Sequence, residues 1–250
     1  CLFGESIGGT YMRKNILAVL SAIILLALPL AGCTDKAEGG SAPKKRSKVD
    51  STVLQFTPPA DTDITVVIST SLGDIKAVLY KDEAPQGVEN FVGLAQKGYY
   101  NNTTFHRVVK DFVIQGGDDT ATGTGGTTIW NGTPFAVEVS DKLHHYSGAL
   151  SYARIPNDRN SNTSQFFIVQ TPQGSVDKAM QEKLAANGVG EDVVKTYAKA
   201  GGAPYMDGEY TVFGQVYEGM DIVDKIANVE VNGEAPKEPV TVLSVTVTGA

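Results

Sequence analysis

The sequence predicts a mainly β protein built as a closed or nearly closed antiparallel barrel, and three observations carry that prediction. Short apolar or alternating runs recur from about residue 62 onward, separated by Gly-, Asn- and Asp-rich turns. Only two or three stretches show helical spacing, and no internal repeat with a period of about 20 to 50 residues is visible. With 42% apolar and 20% charged residues in a chain of 250, one large core can be buried. The balance of 21 basic against 28 acidic residues gives a net charge of -7, and no basic stripe interleaved with aromatics occurs in the folded part. Both points argue against a nucleic-acid partner.

The first segments lie outside this fold. Met12 is followed by Arg13-Lys14, by the apolar run "ILAVLSAIILLALPL" and by "LAGC" at 30–33. These are the parts of an export signal, and Pro29 interrupts the run too soon for a comfortable spanning helix. "LAGC" resembles the lipobox of bacterial lipoproteins, which implies cleavage before Cys33, lipid on that cysteine and an extracytoplasmic domain anchored to the bacterial cell membrane. An uncleaved anchor is the alternative. Residues 12–32 are thus expected to be a signal peptide, and residues 1–11 to be translation upstream of a true start at Met12. Residues 33–61 follow as the lipidated cysteine and a polar, Gly/Ser/Pro-rich tether with a reach of about 30 Å. "KKRSK" at 44–48 is either solvated linker charge or a second contact with anionic headgroups. The only cysteines are Cys1 and Cys33, so a disulfide framework, a thiolate nucleophile and a cysteine metal site are excluded from the folded part.

Within residues 62–250, "ITVVIST" and "GDIKAVLY" flank the turn residues "SLGD" and predict a β-hairpin. "APQGVENFVGLAQKGYY" spaces Val88, Phe91, Val92 and Leu94 as a helix, with Pro85 near its start and Gly98 near its stop. Strands are expected at 105–109, 112–116, 148–152, 165–169 and 211–216, a second helix in "EGMDIVDKIANV", and a closing strand in "PVTVLSVTV". Residues 173–204 break the pattern. Their composition favours two short helices split at Asn187-Gly188, with Met180, Leu184, Val193, Val194 and Tyr197 as apolar contacts, packed on the barrel as an insertion.

One stretch demands chemistry: "FHRVVKDFVIQGGD", residues 105–118, sets Arg107 inside an apolar, β-branched run. Phe105, Val108 and Val109 would hold its stem, and a half-buried guanidinium needs partners. Gln115, across the turn at Lys110-Asp111, is a candidate. Taken alone, a structural hydrogen bond is the commoner explanation of such a pair. Other signals are weaker. "ATGTGGTT" at 121–128 lacks the Lys-Ser/Thr and the helix of a phosphate cradle. His106 should point away from Arg107, and His144 and His145, adjacent on a strand, should face opposite ways and make a poor metal pair. Asp118 and Asp119 fit turn chemistry, and Ser151 is not set in a nucleophile elbow.

"FHRVVKDFVIQGGD" resembles the signature of the cyclophilin family, and "NTSQFFIV" at 162–169 and "MDGEYTVFGQVYEGMDIVDKI" at 206–226 are similar to its next two blocks, in order. The resemblance covers about 62–250 apart from the insertion. It implies an eight-stranded barrel capped by two α-helices and the cis/trans isomerisation of peptidyl-prolyl bonds. By the same resemblance Arg107 donates to the prolyl nitrogen, Gln115 holds the guanidinium and the substrate carbonyl side, and Phe112, Val113 and Phe167 line the proline pocket with Met206 at its wall. Ala153 and Arg154 take the edge that bonds the peptide backbone, Gln165 lies in the groove, and Gly123 and Thr124 lie at its rim. Tyr205 before "MDG" and Tyr210 replace a frequent tryptophan and histidine, which puts cyclosporin sensitivity in doubt. The loop "RIPNDRNSNTSQ" is about two residues longer than the common form, so Asn160 and Asn162 transfer poorly.

The chemistry suits these residues. Rotation about an X-Pro bond faces a barrier of about 18 to 20 kcal/mol, because the nitrogen lone pair is delocalised. A fixed donor facing the lone pair of the twisted bond stabilises that state above either planar one, and neither nucleophile, metal nor cofactor is required. The expected partners are proline-containing peptides and unfolded exported proteins, and the expected state is a monomer. A tethered proline-peptide receptor or chaperone without turnover, and an envelope scaffold acting through 173–204, remain as alternatives.

Overall fold

The structure, a computed structural model, describes residues 46–50 and 52–249. The expected upstream residues 1–11, the signal 12–32 and the lipidation site Cys33 lie outside the described residues. Among the described residues the strands are β1 Ile64–Thr70, β2 Gly73–Leu79, β3 Arg107–Val109, β4 Val113–Gly116, β5 Ala149–Tyr152, β6 Phe166–Val169, β7 Val212–Glu218, β8 Val231–Asn232, β9 Ala235–Pro236 and β10 Val242–Thr248. The helices are α1 Pro85–Gln96, α2 Lys178–Ala186, α3 Glu191–Ala200 and α4 Met220–Ala227. None of these helices is long and apolar enough to cross a membrane.

The predicted hairpin forms as β1 and β2, with Thr70 paired to Gly73 across a two-residue loop. Eight strands make one antiparallel sheet in the order β10-β1-β2-β7-β5-β6-β4-β3. The expected closed barrel is corrected to a curled, half-barrel sheet. Its end strands β3 and β10 do not pair, and only scattered backbone bonds cross the seam, such as Phe105 N–H to Val240 O at 3.0 Å and Val242 N–H to Thr103 O at 2.8 Å. The physical reason is that the outer edge of β3 is taken elsewhere: Val108 N–H bonds Glu234 O at 2.7 Å, and the chain beside β10 is met by residues 103–105, just before β3.

Helix α1 starts at Pro85, where a missing N–H costs nothing. No local side chain caps it. The Glu138 carboxylate instead accepts from the N–H groups of Gln86 (3.0 Å) and Gly87 (2.8 Å), satisfying orphan donors and opposing the positive end of the helix dipole. The helix buries Val88, Phe91, Leu94 and Ala95 inside the curl. There Phe91 meets the rings of Tyr100 (4.8 Å), Phe213 (5.2 Å) and Phe166 (5.5 Å). Phe91 is fully buried, so its truncation to alanine would cost about 3 to 5 kcal/mol. Helix α4 buries Val223 and Ile226 in the same core.

The insertion folds as the sequence indicates. Asp177 caps α2 by accepting from Met180 N–H at 2.8 Å, and Gly188 breaks the pair at φ +82. Leu184 and Tyr197, with Met180, Val193 and Val194, pack around Tyr146 in a separate apolar cluster. Val49, Val53 and Phe56 join that cluster, which departs from the free tether expected through residue 61. Gln55 is 3% exposed, donates to His144 O (2.8 Å) and Gln215 Oε1 (2.9 Å), and accepts from His144 N–H (2.7 Å). Arg46 pairs with Asp224 of α4 through Nε (2.8 Å) and NH2 (2.6 Å). Polar composition reads as linker; here the scattered Val, Phe and Arg supply the anchors.

Candidate functional site

The register of the short strands assembles the site. Arg107 on β3 lies opposite Gln115 on β4, Gln115 opposite Phe167 on β6, and Phe167 opposite Ser151 on β5. Four residues from four strands thereby form one cross-strand row. Because side chains alternate across a pleat, Ile114, Phe166 and Ile168 enter the inner core while Val113 and Phe167 belong to the apolar cluster on the opposite face. That second cluster includes Met206, from the 3-10 turn Pro204–Met206, and takes Phe112, Ala153 and Tyr210 as half-buried neighbours. All four residues expected to line a proline pocket are therefore together. Phe112 sits in the β3–β4 turn and not in the strand expected from 112. Its carbonyl accepts from the N–H groups of Gln170 (2.7 Å) and Thr171 (3.1 Å), and its ring stacks at 6.3 Å with the exposed Tyr205.

A polar relay runs beside this apolar patch. Arg107 NH1 donates to Gln115 Oε1 at 3.4 Å, Gln115 Nε2 to Gln165 Oε1 at 3.0 Å, and Gln165 Nε2 to the carbonyls of Gly123 (3.1 Å) and Gly125 (2.8 Å). The Gly123–Gly125 rim is held by buried Asp118. Its carboxylate accepts from the backbone of Thr120 (2.8 Å), Gly123 (2.6 Å) and Gly125 (3.1 Å) and from the Thr120 hydroxyl (2.7 Å). Burial alone would raise the pKa of Asp118, but these donors overrule it and hold the carboxyl below its ordinary value. A side chain at Gly125 would collide with Asp118, which explains the glycine. Gln115, Gly123, Thr124, Ala153, Arg154 and Gln165 line a cavity of about 330 Å³ with Ile155, Pro156 and Thr163.

Other expected residues play more structural parts. The guanidinium of Arg154 lies 4.6 Å over the Tyr210 ring and donates to Glu209 O (3.0 Å) and Glu209 Oε2 (3.0 Å). The Ala153 N–H is spent on Gln165 O at 2.9 Å. Asn162 is buried and ties its loop to Phe135 through both backbone groups. His106 is half-buried near Gly123, and burial lowers its pKa. His144 and His145 do not diverge as expected. Each directs Nδ1 to one oxygen of Asp207 at 2.9 Å, and Tyr197 of the insertion donates to the same carboxylate at 2.7 Å. Burial pushes the Asp207 pKa up, and the histidine hydrogen bonds more than reverse this, leaving it well below the usual carboxylate range. His145 Nε2 lies 3.0 Å from Ser151 Oγ, and its ring stacks on Phe167 at 6.2 Å. The insertion therefore props the residue next to Met206. Among the described residues no group of three or more His, Cys, Asp or Glu gathers as metal ligands.

One site residue escaped the sequence reading. Glu234, between β8 and β9, accepts from Arg107 Nε at 2.6 Å and from NH2 at 3.4 Å. The signal that could have revealed it is "NGE", a turn sequence between two β-branched or small residues.

Comparison with known proteins bears on this geometry. The family model described as "Cyclophilin type peptidyl-prolyl cis-trans isomerase/CLD" matches residues 65–247. A Staphylococcus saprophyticus protein named "Putative peptidyl-prolyl cis-trans isomerase" is 45% identical over 184 residues, covering 73% of this chain and 91% of its own. A Staphylococcus aureus protein of the same name is 45% identical over 169 residues, covering 68% and 83%. The crystal structure of a Cryptosporidium parvum cyclophilin-type isomerase, obtained in the presence of the dipeptide Ala-Pro, aligns with a TM-score of 0.59 at 30% identity, over 73% of this chain and 98% of that one.

Proposed function

The chain belongs to the cyclophilin-type peptidyl-prolyl cis-trans isomerases, and from that premise we propose that Arg107 donates the hydrogen bond that catalyses X-Pro rotation. The observation that carries this is the cross-strand row, which stands a guanidinium beside an apolar patch on one sheet face. In the planar bond the prolyl nitrogen has no lone pair to offer. Twisting localises that pair and creates an acceptor for a charged N–H donor. Among the described residues three of the five N–H groups of Arg107 have partners, and its side chain is 34% exposed, so donors remain for the substrate. Because the donor is fixed before the bond twists, its attraction favours the transition state over both planar states.

The remaining roles follow from position. Phe112, Val113, Phe167 and Met206 take the proline ring and exclude water from the nitrogen. Gln115 steadies the guanidinium and, with Gln165, fixes the Gly123–Thr124 rim. Ala153 and Arg154 present the groove edge, flanked by Tyr205 and Tyr210. The Ala-Pro dipeptide of the Cryptosporidium crystal supports proline-containing peptides as substrates. The test is the isomerisation rate of a short Xaa-Pro peptide by the purified protein and by Arg107→Ala. A fall of about 10²- to 10³-fold, with peptide binding kept, is expected. A folded, peptide-binding protein without turnover would leave the receptor reading in its place.

The setting is part of the same proposal: a monomer, lipidated at Cys33 and facing out of the cell, that speeds the folding of exported proteins. Its support is "LAGC" after an apolar run and the slowness of uncatalysed X-Pro switching, which takes tens of seconds or more. Mass spectrometry of the membrane-bound protein should find an N-terminus at Cys33 carrying acyl chains. A membrane-bound chain that keeps residues 12–32 and an unmodified Cys33 would instead indicate an uncleaved anchor.

A further inference from the structure

We propose that Glu234 is a positioning residue for the reaction, setting the orientation of the Arg107 guanidinium. This rests on the Arg107 reading above. The guanidinium has two forks. Nε and NH2 form the side-on fork, which Glu234 accepts through Oε2 at 2.6 Å and Oε1 at 3.4 Å. NH1 and NH2 form the end-on fork, where NH1 meets Gln115 at 3.4 Å. That bond lies beyond the usual N–H···O range, so Gln115 alone holds the plane weakly. The short, charge-assisted bond to Glu234 is the stronger restraint. It consumes the fork that a substrate does not need and fixes the plane in which the spare NH1 and NH2 hydrogens lie.

The carboxylate is delivered from a pinned backbone. Asn232 pairs with Ala235, leaving Gly233-Glu234 as a two-residue loop, and Gly233 takes the positive φ of +64 that the first position of a type II′ turn requires. The Glu234 carbonyl accepts from Val108 N–H at 2.7 Å, one residue from Arg107, so the hairpin is tied to β3 itself. At its base Lys237 donates to Glu230 from its backbone (2.8 Å) and its ammonium (2.9 Å). A half-exposed ion pair contributes little to folding, so a conspicuous effect of Glu234 on stability is not expected. Its effect belongs on the rate, because a donor that must rotate into place loses part of its preorganisation.

The test measures Xaa-Pro isomerisation by Glu234→Ala, Glu234→Gln and Arg107→Ala in the whole protein, with unfolding temperature and the Nε–H resonance of Arg107 recorded for the glutamate variants. Glu234→Ala should lower kcat about fivefold, equivalent to ~1 kcal/mol, with KM within about twofold. Its unfolding temperature should be unchanged, and the Nε–H should exchange faster with solvent. Glu234→Gln, which keeps one acceptor, should fall between Glu234→Ala and the wild type. If Arg107→Ala abolishes turnover while Glu234→Ala keeps the wild-type kcat, the positioning role is overturned and the Arg107 reading stands. If kcat falls only in step with unfolding temperature, and equally in Glu234→Gln, the role is structural and the proposal fails. If Arg107→Ala retains full turnover, the preceding reading is the one that falls.

Discussion

Arg46 and Arg107 are both arginines gripped by one carboxylate, yet they differ in what is left over. Arg46 gives Nε and NH2 to Asp224, NH1 to Ser147 Oγ at 2.7 Å, and NH2 also to Gln170 O at 2.7 Å. Its side chain is 17% exposed and that of Asp224 8%. Arg107 is twice as exposed at 34%, and two of its three bonds are long, at 3.4 Å. Around Arg46 the donors are spent on holding the chain together. Around Arg107 one strong bond fixes the group, and two of its five N–H groups have no partner among the described residues. A part-buried cation with four of its five N–H groups spent on the fold is a rivet, whereas a cation held by one edge can act on something else.

The sharpest way to separate the two is to truncate each. Arg46→Ala leaves the buried Asp224 carboxylate with the neutral Gln170 amide as donor (2.7 Å) and no cation, and should lower unfolding stability by about 3 kcal/mol, seen in urea titrations, while kcat at a temperature where the variant is folded stays unchanged. Arg107→Ala should give the converse: collapsed turnover and an unfolding midpoint close to the wild type. Comparable stability losses in both would dissolve the distinction.

A smaller effect is expected at Asp207, where Tyr197 of the insertion meets the residue next to Met206. Asp207→Asn removes the charged acceptor shared by His144, His145 and Tyr197 and should cost about 2 kcal/mol at neutral pH. The sign of its pH dependence follows from its depressed pKa. The stabilisation is complete above the unfolded carboxyl value of about 3.9 and is lost as pH falls below it, because the unfolded chain takes up the proton first. Urea midpoints measured from pH 7 to pH 3 should fall more steeply for the wild type than for Asp207→Asn. Tyr197→Phe deletes one donor to the same carboxylate and should cost about 1 kcal/mol. An unchanged midpoint there would mean that the insertion does not brace Asp207 through this bond.

Much of this fold was legible along the chain. The β1–β2 hairpin, α1 between Pro85 and Gly98, α4 and the split helices α2 and α3 all follow from local periods and punctuating glycines and prolines. The grouping of Phe112, Val113, Phe167 and Met206 was legible too, through the family resemblance of the motif blocks that hold them, and the structure gathers them in one apolar cluster. Glu234 was not: it is 127 residues from Arg107 and sits in a hairpin of two-residue strands, too short to display a period. Nor was the docking of residues 46–50 and 52–57, since polar composition predicts a tether and says nothing of an acidic partner 178 residues away.

The sequence by itself determined the kinds of element, their order and the residue types offered to the site, because these depend on neighbours two to four positions apart. Only the tertiary structure decided that the sheet curls without closing, that the four-residue row forms across β3, β4, β6 and β5, and that one arginine is riveted while the other is held by an edge. Those outcomes depend on which surfaces meet after the chain folds back, and on how much water each pairing excludes. A local pattern carries neither.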